Sequence, residues 1–129
     1  MKVAVLIIRI LFGLLFLFAS IVVLFKLVPQ PELKGNAKLF MEGIQASGYF
    51  IPLLKVVELV CGLAFISGFF VPLATVVIFP ITVNILFYHA FVAPEGVPMA
   101  AVLVLANLFL AYAYRKSYRG ILAAKPALN

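Results

Sequence analysis

Apolar residues run for about twenty positions at a time along this chain, and the polar residues collect between those runs. A bilayer core of about 30 Å takes roughly 20 helical residues at 1.5 Å each. Residues 3–27, 49–70, 71–92 and 97–114 therefore predict four transmembrane helices. Met1-Lys2 ahead of an apolar run also suits a secretory leader. The run from Val3 to Phe25, however, continues for about 23 residues, past the ~7–15 of a leader, and no Ala-x-Ala-like cleavage site follows. It reads as a retained span.

The one long polar connection, VPQPELKGNAKLFMEGIQASG, opens with Pro29 and Pro31, which end the first helix near Leu27. Within it, 36–47 has helical periodicity. Ala37, Leu39, Phe40, Met41 and Ile44 share one arc, and Lys38, Glu42 and Gln45 the other, which predicts a short amphipathic helix lying at the membrane surface. Pro52 suits the first turn of the second span, and Gly68 with Pro72 marks a tight reversal that makes spans two and three antiparallel neighbours. VAPEGVP is a turn, with Pro98 opening span four. Pro80, inside span three, predicts a kink and a freed carbonyl that a neighbouring group must satisfy. The expected fold is all-α: a single membrane domain, a four-helix transmembrane bundle with one interfacial helix between spans one and two.

Composition agrees, with 67% hydrophobic and 11% charged residues in a chain of 129. Ten Lys and Arg against four acidic residues would suit a nucleic acid, but the basic residues stand at span ends rather than on one solvated face. They read as anchors in a lipid bilayer, with no nucleic-acid partner. Lys2, Arg9, Arg115, Lys116, Arg119 and Lys125 flank the termini side, against Lys26, Lys34, Lys38 and Lys55 on the other. That excess places both termini in the cytoplasm of a bacterial inner membrane. YRKSYR adds tyrosine and basic anchors for an anionic surface. The single cysteine, Cys61, excludes a disulfide, a Cys-x-x-Cys pair or a thiolate metal cage within one copy, and reads as a packing residue.

The candidate chemistry lies in polar residues at bilayer depth. Counted from the end opposite the termini, Glu58 and Asn84 come about 12 Å deep and Asn107 about 14 Å, with Lys55 and His89 at roughly 5–8 Å. Ile51, Lys55, Glu58, Gly62 and Phe65 share a stripe that should face the bundle interior. Lys55 and Glu58 fit either a structural ion pair or a ligand or proton site. Asn84 and Asn107 suit interhelical hydrogen bonds. His89 has no second His and no Asp for a metal site, so it reads as an interfacial hydrogen-bonding residue. Arg9 reads as snorkelling to headgroups. The expected site is a cavity shared by Glu58 and His89 with Lys55 and Asn84 at its wall, where Gly62 leaves volume or admits a neighbouring helix. No nucleotide loop, metal motif or Ser/His/Asp constellation supports an autonomous enzyme. Electron transfer would need a non-covalent cofactor such as a quinone, or a partner.

Arg9 and Gly13 in RILFGLLFLFAS, Lys26 at the end of that span, Glu58 and Gly62 in VELVCGLAFISGFF and His89 in NILFYHAF together resemble the DoxX family of small four-helix membrane proteins. The resemblance implies a redox-linked membrane subunit, because members are associated with thiosulfate:quinone oxidoreductase and with membrane oxidoreductase complexes linked to thiol or oxidative stress. Lys26, Glu58 and His89 are the positions it carries over, and it implies other membrane subunits or further copies of the chain as partners. The competing reading is a non-catalytic scaffold subunit of a larger membrane assembly. A solute or proton carrier fits less well, since four spans show no internal repeat.

Overall fold

The computed structural model describes residues 1–29, 32–125 and 127–128. Its helices are α1 (Lys2–Leu24), α2 (Gly35–Ala46), α3 (Phe50–Ser67), α4 (Val71–Phe91) and α5 (Val97–Ala113), with 3₁₀ turns at Pro94–Gly96 and Arg115–Tyr118. Four of them, α1, α3, α4 and α5 with its leading turn, are long and apolar enough to cross a membrane. The protein is thus an all-α bundle of four spans, with α2 as the short amphipathic extra.

The helix ends follow from local chemistry. α1 stops at Leu24, three residues before the position expected from Pro29. The cause is a Schellman-type ending: Leu27 N–H donates to the Val22 carbonyl at 3.0 Å and Lys26 N–H to that of Val23 at 3.3 Å. Lys26 occupies the left-handed position at φ 53°, where glycine is usual. Pro31 lies outside the described residues. Gly68, at φ 84°, ends α3, and its N–H donates to the Ala64 carbonyl at 2.9 Å, so the chain reverses within three residues into α4.

The tightest packing is between α1 and α3, and the next between α4 and α5. Gly13 and Gly62 explain the first. A Cβ on Gly62 would lie 2.9 Å from the Gly13 carbonyl oxygen, and one on Gly13 would lie 2.9 Å from that of Gly62, so the two backbones touch at their crossing. Beside the crossing, Phe12 meets Phe16 and Phe65 edge to face at 4.9 and 5.1 Å between ring centroids. Asn107 explains the second pair. It is fully buried on α5 and donates from Nδ2 to the Thr75 carbonyl of α4 at 3.2 Å. The Thr82 hydroxyl lies 2.9 Å from both Asn107 Oδ1 and the Phe79 carbonyl, and its single proton serves one or the other. α4 continues through Pro80. The carbonyl that loses its N–H partner to that proline is Val76's, and Asn107 caps the one immediately before it. Beyond α5, the Tyr118 hydroxyl donates to the Pro72 carbonyl at 3.0 Å, tying the last turn to the start of α4. Burial pushes the Tyr118 phenol above its ordinary pKa.

Candidate functional site

At the α2 end the helices part. A cavity of about 890 Å³ opens between the last turn of α1, the start of α3, the end of α4 and α2. Its wall is mostly apolar, with Phe40, Met41 and Ile44 of α2 facing Ile85 and Tyr88 of α4, and its polar groups are Lys26, Gln45, Lys55, Asn84, Tyr88 and His89. α2 is therefore more than a surface helix, because it roofs the cavity. Its Phe40 ring packs on Tyr88 at 5.3 Å and its Ala37 is buried. Of the apolar arc read from the sequence, Ala37, Phe40, Met41 and Ile44 turn toward the bundle, while Leu39 stays exposed.

Lys55 links the cavity to the interior. Its Nζ lies 3.1 Å from Oε2 of Glu58, and its side chain is 18% exposed while the Glu58 side chain is 4% exposed. The contact supplies opposite charge but not hydrogen-bond alignment, and Oε2 has no other partner among the described residues. Lys55 lines the cavity, whereas Glu58 is not among its lining residues. Glu58 therefore sits behind the wall, which corrects the expectation that it shares the surface with His89. The stripe on α3 did turn inward, but so tightly against α1 that only Ile51 and Lys55, at its start, reach open space.

His89 is fixed by its surroundings. Nδ1 lies 3.1 Å from the Ala93 carbonyl and donates in that hydrogen bond, which in the neutral ring leaves Nε2 as the acceptor. The ring packs edge to face on Tyr88 at 5.1 Å, and a Cβ on Gly96 would overlap it. Gly96 is thus a positioning residue that sequence reasoning missed; its place in a turn concealed what it packs against. Asn84 is exposed within the open cavity and makes no interhelical hydrogen bond among the described residues. The structure separates the two asparagines that the sequence grouped: Asn107 is interior glue, and Asn84 is a free amide at the cavity. Gly62 leaves no volume, since α1 fills it. Lys26, by contrast, lines the cavity from its strained backbone position. Cys61 is buried in the apolar core. Among the described residues no three His, Cys, Asp or Glu side chains converge on a point that could hold a metal ion.

The model of the DoxX family matches residues 4–91. The chain belongs to the DoxX family. The match covers α1 to α4, which are the elements that line the cavity, while α5 of this DoxX protein lies beyond it. No curated protein and no solved structure matches the chain.

Proposed function

We propose that this DoxX-family protein is a redox-linked membrane subunit that receives a quinone headgroup in the α2-end cavity and exchanges electrons through a partner membrane protein. The observation that supports this is a cavity with apolar walls and a few donors. The residues suit a flat ring bearing two carbonyl acceptors: Phe40, Ile85 and Tyr88 offer apolar faces, and Lys26, Lys55 and Asn84 offer N–H groups. A bound quinone would supply two-electron, two-proton chemistry, which this chain lacks apart from its single buried thiol, Cys61. Lys55, held by Glu58 from behind, can donate to a carbonyl oxygen without leaving its counter-charge. His89, with Nδ1 engaged, keeps Nε2 to accept a proton. In this reading the protein lies in a bacterial cytoplasmic membrane with both termini cytoplasmic, and the cavity opens toward the outer face.

The test is to purify the protein in mild detergent, identify extracted lipophilic molecules by mass spectrometry, and titrate a short-chain quinone. The expected result is a bound quinone, with affinity lowered about tenfold by Asn84→Leu and again by Lys26→Gln, each a loss of about 1.4 kcal/mol. A fixed partner protein recovered with no quinone, and no response to the titration, would favour the scaffold reading instead.

A further inference from the structure

We propose that a second site, at the opposite end of the bundle, binds the phosphate headgroup of an anionic phospholipid. A cleft of about 700 Å³ lies there between the start of α1 and the end of α5, with Lys2, Val5, Leu6 and Arg9 on one side and Tyr112 and Arg115 among the residues on the other. Its three cationic side chains are differently prepared. Arg115 is preorganised: Nη1 donates to the Tyr112 carbonyl at 2.9 Å and the guanidinium lies 4.2 Å above the Tyr112 ring. Arg9 is partly buried and rests against Gly68, with Nη1 3.1 Å from where a Cβ there would be. The α3 C-terminus beside it offsets only about half a charge. Arg9 Nε is buried with no hydrogen-bond partner among the described residues.

No acidic side chain among the described residues answers these cations. Of its four acidic residues, Glu32 and Glu42 lie before and within α2, Glu95 lies in the Pro94–Gly96 turn at that same end, and Glu58 is paired with Lys55. Lys2, Arg9, Arg115, Lys116, Arg119 and Lys125 therefore face no acidic side chain at their end of the bundle. A phosphodiester supplies the missing charge, and its two free oxygens match the planar fork of a guanidinium. The rest of the cleft selects a lipid over a soluble anion. Arg9 lies about 10 Å along α1 from Lys2, inside the apolar span, and Val5 and Leu6 line the way to it. A ligand with acyl chains can place its headgroup between Arg9 and Arg115 while its tails remain in the bilayer.

The experiment compares short-chain phosphatidylglycerol, short-chain phosphatidylcholine and inorganic phosphate at equal concentration, reading the melting temperature of the detergent-purified chain and the lipid adducts retained in native mass spectrometry. Phosphatidylglycerol alone should raise the melting temperature and remain bound. Arg115→Gln should weaken it about tenfold, and Arg9→Gln by as much or more, while Lys116→Gln with Arg119→Gln, outside the cleft, should change it less than about twofold. Should Arg9→Gln not fold, Arg9→Lys keeps the charge and loses the fork, and is expected to weaken binding by a smaller factor. An equal response to inorganic phosphate would overturn the lipid assignment. An equal response to phosphatidylcholine, or a loss of binding in the Lys116 and Arg119 variant as large as in Arg115→Gln, would overturn the site.

Discussion

The α1–α3 crossing and the α2-end cavity are built from the same helices, yet one is closed to the backbone and the other open by about 890 Å³. At the crossing, Gly13 faces Gly62 and rings of Phe12, Phe16 and Phe65 fill the flanks; between α4 and α5, Asn107 bonds to Thr75 and lies against Thr82. At the other end the facing residues are Lys26, Lys55, Tyr88 and His89, which are bulky and charged or polar. The difference reflects the solvent. Lipid tails are as apolar as leucine, so apolar area alone does not draw helices together in a bilayer. Small residues and interhelical hydrogen bonds do, and where they stop, the helices part.

The sharpest way to break this contrast is to put a side chain into the crossing. Gly62→Leu must displace the Gly13 carbonyl and the Leu17 backbone, both near 2.9 Å from its Cβ, and should cost at least about 3 kcal/mol. Gly43→Ala in α2, with nothing within 4 Å, should be neutral or add up to about 1 kcal/mol. Thermal melting in detergent separates the two, and equal effects would show that the crossing is not what holds the bundle.

The ion pair behind the cavity wall comes next. Lys55→Met leaves the Glu58 carboxylate buried without its counter-charge and should lose about 3 kcal/mol, whereas Lys55→Met with Glu58→Gln should recover most of it. A double variant as unstable as the single one would mean that Lys55 stabilises by something other than pairing.

The smallest effect sets the two asparagines against each other. Asn107→Leu removes two interhelical contacts and should cost about 1–2 kcal/mol. Asn84→Leu should stay within about 0.5 kcal/mol, because the amide holds nothing together. Chemical denaturation of both variants checks the order; a reversal would place the structural asparagine at the cavity.

The sequence carried the spans, because length and hydropathy depend on the bilayer alone. It did not carry which neighbour each face meets: α4 is apolar all round, so nothing in its pattern distinguishes the side facing α5 from the side facing the cavity. That is why Asn84 and Asn107 looked alike. Glu58 was misplaced for a related reason, since whether a glycine beside it means space or contact depends on the partner helix, and Gly13 decided for contact. The end of α1 was missed because Lys26 takes a backbone conformation that its side chain does not advertise.

The glycine crossing also makes α1 and α3 a lever. A tilt of α1 about its closest approach to α3 moves its two ends in opposite directions. Along α1, Arg9 stands about 6 Å from Gly13 and Leu24 about 17 Å on the opposite side, an arm ratio of roughly one to three. A headgroup in the Arg9 cleft, between α1 and α5, would push on the short arm of α1, and a displacement of about 1 Å there would move the last turn of α1, at the cavity, by about 3 Å. The distance between spin labels on the last turn of α1 and the first turn of α3 should change when phosphatidylglycerol is added, and an unchanged distance would mean that the two ends work independently.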